Sequence, residues 1–210
     1  MMPELPTTIA LFPLPGAILL PGSILPLHIF EPRYRQMLED CIEGRPYIGM
    51  IQPWDNETDL YDIGCLGKIE HHRQLPNGNF LIRLQGEMRF RVREEISTDT
   101  PYRKALVDYG EFLHDSNQTK DQFLEKEPLY DAFKNYLEQR DLKVDWEKIE
   151  TIPLHLLVNI LSMNLEFGYS EKQTLLESHD LSTRWRDLIA LLQMAAFADQ
   201  NDETSSGSIN

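Results

Sequence analysis

The stretch Pro26-Leu27-His28-Ile29-Phe30-Glu31-Pro32-Arg33-Tyr34-Arg35-Gln36-Met37-Leu38 decides how this chain is read. An extended apolar run stops at a proline, and a helix begins. Leu25, Leu27 and Ile29 alternate with Ile24, Pro26, His28 and Phe30, the pattern of a strand buried on both faces or nearly so. His28 is then expected to be a hydrogen-bonded, buried or half-buried side chain. Glu31 precedes a proline, which drives it out of the α region and into an N-cap position. Pro32 at the first helical position lacks only an N–H that the helix leaves unpaired anyway. The Glu31 carboxylate also stands at the positive end of the helix dipole. Tyr34, Met37, Leu38, Cys41 and Ile42 form one apolar stripe, Gly44 suits the C′ position, and Pro46 bars continuation. A helix is predicted over 32–43.

Working outward, residues 7–30 read as two strands joined by a proline-glycine turn. The first is Ile9 to Leu11 or Phe12, and the second is Ile24–Phe30. Tyr47–Ile51 is a short strand, and residues 53–62 form an acidic loop carrying Trp54 and Tyr61. A strand over 63–75 meets Asn77-Gly78, a hairpin signal whose two turn positions call for positive φ. Phe80, Ile82 and Leu84 alternate on the return strand, Gly86 marks a bulge or bend, and Met88, Phe90 and Val92 continue the apolar face. Arg89, Arg91 and Arg93 lie opposite as a basic stripe, which Arg83 extends. That stripe is read as a solvated face neutralised by Glu87, Glu94 and Glu95. Tyr102–Phe112 supplies one more strand.

Composition then turns polar, and His114–Lys120 reads as a linker. Helical periodicity follows. Phe123, Tyr130, Phe133 and Leu137 share a face in a segment that Pro128 is expected to split. Leu154, Leu157, Val158, Leu161 and Leu165 form a second stripe behind Pro153. Ser170 and Gln173 are placed as a capping box opening a third helix. Asp180 or Ser182 caps a last helix with the stripe Trp185, Leu188, Ile189, Leu192 and Ala196. The expected fold class is therefore α+β. Residues 1–113 form a β-rich, partly closed barrel with one helix, residues 114–198 a helical bundle, and residues 199–210 a disordered tail.

The 210 residues carry a net charge of −14, which disfavours nonspecific binding to nucleic acid or to an anionic membrane. Most of the excess is C-terminal: residues 1–110 carry −4 and residues 111–210 carry −10. No apolar run approaches the roughly 18 residues of a membrane span. The N-terminus has no basic region of the signal-peptide kind, and two cysteines imply no disulfide framework. A cytoplasmic location is expected.

Together with Phe12-Pro13-Leu14-Pro15-Gly16 and Leu20-Pro21-Gly22, the opening stretch resembles the amino-terminal substrate-recognition domain of the Lon protease family. The matching positions include Pro26, Leu27, Phe30, Glu31, Pro32, Arg33 and Tyr34. They read mainly as structural, the strand–helix junction of a core. Lys172-Gln173-Thr174-Leu175-Leu176-Glu177, Asp180, Arg184, Leu188 and Leu192 are similar to a second family pattern, so the resemblance runs from about residue 9 to 198. It implies a PUA-like pseudo-barrel followed by a bundle, and binding of unfolded or tagged polypeptides. A full Lon protease also carries ATPase and peptidase modules. No Gly-x-x-x-x-Gly-Lys-Ser/Thr loop occurs here, so neither ATP hydrolysis nor proteolysis is expected.

No catalytic set, cofactor or metal site is expected. His71 and His72 are strand neighbours pointing to opposite faces and cannot chelate one ion, and no His/Cys/Asp cluster has zinc spacing. The Cys41 thiol reads as inert packing, and no Gly-x-Ser-x-Gly elbow is present. The leading expectation is a non-enzymatic module binding polypeptide substrates or partner proteins, with Trp54 and Tyr61 as candidate contact residues. The alternative is an RNA- or small-ligand-binding PUA-like protein. Partner identity and oligomeric state stay open.

Overall fold

The computed structural model describes residues 5–54, 58–117 and 124–206. In chain order the elements are β1 (Thr8–Pro13), β2 (Ile24–Ile29), α1 (Pro32–Glu43), β3 (Tyr47–Ile51), β4 (Ile63–Gln74), β5 (Phe80–Ile96) and β6 (Lys104–Asp108). A 3-10 segment (Gly110–Asn117) follows, then α2 (Glu127–Gln139), α3 (Trp146–Thr151), α4 (Leu154–Asn164), α5 (Tyr169–Glu177) and α6 (Leu181–Ser206). The protein is α+β. The chain divides into two compact units, Met1–Gln118 with Glu166–Leu176, and Thr119–Leu165 with Glu177–Asn210. This differs from the expected division at 113/114, because residues 166–176 group with the strands.

In the first unit the strand order is β2-β5-β4-β3-β1-β6, and β5 also pairs with β6. Five strands thereby close a ring, with β1 and β3 parallel and the remaining pairs antiparallel. Ile9, Leu11, Ile51, Leu66, Phe90, Ala105 and Val107 fill its core. The 17-residue β5 serves two structures at once. Its first part, residues 80–85, lies between β2 and β4, while residues from Arg91 onward pair with β6.

β2 stands outside that ring and pairs with β5 alone among the described strands. It is an edge strand, not a strand buried on both faces: Ile24, Pro26 and His28 are exposed, Leu25 and Leu27 are half-buried, and Ile29 is buried. An edge position suits Pro26, which has no N–H to give to a ladder. His28 is correspondingly exposed, with its Nε2 3.3 Å from Asn79 Nδ2.

α1 spans the predicted residues, and Tyr34, Met37, Leu38 and Cys41 are buried along its stripe. Full burial of Leu38 contributes about 1.5–3 kcal/mol. Glu31 occupies the N-cap with extended backbone, but its carboxylate takes a bond from Arg33 Nε at 2.9 Å in place of a helix N–H. The β4–β5 turn also departs from the expected form. Gly78 has φ of +82° while Asn77 does not have positive φ. Gly78 N–H donates to Leu75 O and Leu75 N–H to Asn79 O. Pro76 favours a type I turn, with Gly78 taking the left-handed step after it. At Gly86 the chain of residues 20–23 presses in so closely that a Cβ would sit 2.2 Å from Leu20 O. Between the pairs Leu66–Met88 and Gly67–Gly86, Glu87 is the extra residue of a bulge.

α5 begins at Tyr169, one residue before the expected cap. Gly168 N–H donates to Glu171 Oε2 at 2.7 Å, and Lys172 N–H donates to Gly168 O, so the reciprocal bond is made by Glu171 and Ser170 lies inside the helix.

In the second unit Pro128 lies in the first turn of α2 and starts that helix; it does not split one. Leu129, Ala132, Phe133, Tyr136 and Leu137 are its buried face. Phe123 lies outside the described residues. Pro153 precedes α4, as predicted. Asp180 caps α6, accepting from Thr183 N–H at 2.7 Å. Arg184, Leu188, Leu192 and Ala196 are buried along α6, with Arg184 Nη1 donating to Asn159 Oδ1. α6 is helical through Ser206, into the stretch expected as a tail; residues 207–210 lie outside the described residues.

Candidate functional site

The arginine stripe resolves into separate arrangements. Arg89 is 1% exposed, and its Nε and Nη2 donate to the carboxylate of Asp115, with Nη2 to Oδ1 at 2.7 Å. Its Nη1 donates to Leu176 O, and its guanidinium lies 4.8 Å from the centre of the Phe112 ring. Asp115 belongs to the segment read as a linker, so that reading is corrected over its described part: residues 114–117 lie in the 3-10 segment and include the counterion of a buried cation. Arg91 binds Glu111, and Arg93 binds Asp108. The neutralising acids thus come from β6, the 3-10 segment and Asp62 just before β4, not from Glu87 and Glu94. Glu95 pairs instead with Arg103.

The Lys172-Gln173 pair is likewise internal. Lys172 Nζ donates to Gly16 O at 2.8 Å. Gln173 accepts from Gln52 Nε2 at 3.0 Å and donates to Ile63 O at 3.0 Å. These bonds fix α5 on the β unit.

Trp54 and Tyr61 come together. The bridge between Pro53 and Leu60 pairs their flanks, and the rings stack at 4.4 Å with an interplanar angle of 11°. Trp54 Nε1 donates to Leu60 O, so its polar group is satisfied locally while the side chain stays 49% exposed. The two rings cover each other on one side, and Tyr61 is half-buried.

The signature residues divide. Tyr34 is buried against Phe12, ring centres 4.4 Å apart, and Arg33 lies over the Tyr34 ring while pairing with Glu31. Phe30, in contrast, is 60% exposed, and Pro26 is exposed on β2. They are not all core.

An open groove of about 500 Å³ runs over this same edge, lined by Pro26, His28, His71, Arg73, Leu81 and Arg83, among others. Strand pleating explains it. Reading across β2, β5 and β4, Ile24, Gln85 and Lys68 form one row, Pro26, Arg83 and His71 the next, and His28, Leu81 and Arg73 the third. The opposite face holds Ile29, Phe80, Ile82, Leu84 and Ile69, all buried. A second cavity of about 450 Å³, near Tyr34 and Tyr102, has its two guanidiniums engaged: Arg33 by Glu31, and Arg103 by Glu95 and Thr58 O.

Such an arrangement can hold an extended chain. β2 offers a strand edge with no further partner among the described strands, and exposed apolar side chains flank it. Sequence periodicity missed the openness of β2, although Pro26 inside the strand was a signal for it.

Comparison with known proteins gives a consistent picture. The family model for the ATP-dependent protease La (LON) substrate-binding domain matches residues 8–194. The Lon protease of Cytophaga hutchinsonii is 24% identical over 200 residues, covering 90% of this chain and 24% of that protein. Lon protease 2 of Myxococcus xanthus is 28% identical over 203 residues, with coverage of 90% and 24%. The chain therefore spans about a quarter of the length of these curated relatives. Among solved structures, a Lon N-terminal domain protein from Xanthomonas campestris superposes with a TM-score of 0.64 at 24% identity, covering 88% of this chain and 98% of that one. The N-terminal domain of a Mycobacterium avium complex Lon protease gives 0.59 at 16% identity, with coverage of 88% and 97%.

Proposed function

The chain belongs to the family of ATP-dependent protease La (LON) substrate-binding domains, and from that premise we propose that it is a non-catalytic module that recognises polypeptide segments in the cytoplasm. We read the ring of strands as a PUA-like pseudo-barrel and the helical unit as a bundle. No helix among the described residues is long and apolar enough to cross a membrane.

The observation that carries the proposal is the open edge of β2 beside exposed Ile24, Phe30 and Leu81. An extended segment adds its main-chain bonds to that edge and sets apolar side chains into the groove. Trp54 and Tyr61 stand as a further candidate contact, a stacked pair with one open face.

A peptide array with the purified protein tests both sitings. Leu81→Asp is expected to abolish capture of apolar peptides, and Trp54→Ala with Tyr61→Ala to weaken a subset. Capture of every peptide by the doubly substituted Trp54→Ala, Tyr61→Ala protein rejects the aromatic contact, and capture unchanged by Leu81→Asp rejects the groove.

A further inference from the structure

We infer that the groove on the outer face of β2, β5 and β4 selects polypeptide segments in which acidic residues adjoin apolar ones. The inference rests on the polypeptide-recognition reading above and adds the chemistry of the occupant.

The nine side chains of that face are Ile24, Pro26, His28, Leu81, Arg83, Gln85, Lys68, His71 and Arg73. Three are fixed cations and two are imidazoles, and the one acid beside them is Glu70, the exposed extra residue of the β4 bulge. This occurs in a chain whose net charge is −14. The cations are also unspent. Arg33, Arg89, Arg91, Arg93 and Arg103 each make an ion pair with a carboxylate. Lys68, Arg73 and Arg83 make none among the described residues, and all three are exposed. Glu70, the acid nearest in sequence, sits at the bulge between Ile69 and His71 and pairs with none of them.

The apolar members are interleaved with the charges. Pro26 is directly opposite Arg83, and Leu81 is directly opposite Arg73. A ligand matching the face therefore presents a carboxylate within a residue or two of an apolar side chain. The carboxylate gains a charge-assisted, bidentate bond from a guanidinium, and the neighbour covers apolar surface. A basic segment meets like charge, which costs affinity and slows encounter. Nucleic acid would satisfy the cations but not Ile24, Pro26 and Leu81, and the acidic remainder of the chain repels it.

Fluorescence anisotropy with the full chain tests this, using three labelled peptides with the same apolar residues and acidic, neutral or basic companions, and a single-stranded RNA of similar length. The acidic peptide is expected to bind roughly tenfold tighter than the neutral one at low salt, with the gap closing as ionic strength rises. Arg73→Gln with Arg83→Gln should remove the gap between acidic and neutral peptides. Arg73→Glu with Arg83→Glu should turn the preference towards the basic peptide, a gain that misfolding cannot produce. Equal binding of acidic and neutral peptides overturns this inference alone, as does an acidic preference that survives both double variants. RNA binding tighter than the acidic peptide assigns the face to nucleic acid and overturns it too. Failure of all three peptides to bind removes the recognition reading itself.

Discussion

The two halves of β5 carry the same residue type to opposite ends. In the first half, Arg83 lies on an open face with no ion pair among the described residues. In the second, Arg89, Arg91 and Arg93 each meet a carboxylate brought back by β6 and the 3-10 segment. Nothing in the alternation of β5 distinguishes them. What distinguishes them is which later stretch of chain returns across each half. A basic stripe in a sequence is therefore not yet a surface.

The sharpest way to break this contrast is Asp115→Ala. It leaves Arg89 buried without its counterion, and removing one partner of such a pair costs about 3–5 kcal/mol, a large share of the roughly 5–15 kcal/mol that holds a typical domain. The urea midpoint should collapse. Arg83→Gln, on the open half, should stay within about 0.5 kcal/mol of the parent. Similar midpoints for the two variants would end the distinction between the halves.

Gln173→Leu comes next. It strips bonds from Gln52 Nε2 and Ile63 O in a buried setting, with an expected loss of about 1–3 kcal/mol, measurable by the same titration. A midpoint unchanged from the parent would mean that apolar packing of Leu175 and Leu176 alone seats α5.

The pairs of Arg91 and Arg93 are exposed and should matter less. Hydrogen bonds from Arg93 and Arg91 hold the carboxyls of Asp108 and Glu111 below their ordinary values. Groups depressed on folding add stability that is present above the unfolded carboxylate range and is lost as pH falls through the folded values. Asp108→Asn with Glu111→Gln should flatten the acid limb of the stability profile slightly, and high salt should do the same to the parent. An acid limb identical in parent and variant at low salt would show that these pairs contribute nothing.

The smallest effect concerns Cys41. Burial pushes its thiol up to about 11. Its contribution is full below the free-thiol value and lost as pH rises through about 11. Alkylation near neutral pH should be much slower than in denaturant. Equal rates would place Cys41 on an accessible surface.

Much of the architecture was legible because it rests on local rules. Pro32, the stripe from Tyr34 to Cys41, and the turn residues around Gly78 act within a few positions of themselves, and the structure has α1 and the hairpin where those rules put them. What stayed hidden depends on distant chain. Asp115 looks like linker until Arg89, 26 residues earlier, is brought to it. Lys172 and Gln173 look like the polar side of a helix until Gly16, Gln52 and Ile63 are set beneath them. The openness of β2 was half legible, since Pro26 argues for an edge while the surrounding apolar residues argue for burial. The candidate groove was illegible for the same reason: its three rows are contributed by strands from three parts of the sequence.

The return of residues 166–176 to the β unit has a consequence for how the protein is made. On a ribosome, the six described strands emerge before α5, whose seat is then vacant. Arg89 then lacks Leu176 O, and Gln52 lacks its bonds to Tyr169 and Gln173. Those partners arrive only after the intervening α2, α3 and α4 have been translated. Domains ordinarily mature from the N-terminus as they are synthesised. Here the early strands gain those bonds only once α5 has been made, and a fragment cut at residue 118 lacks them.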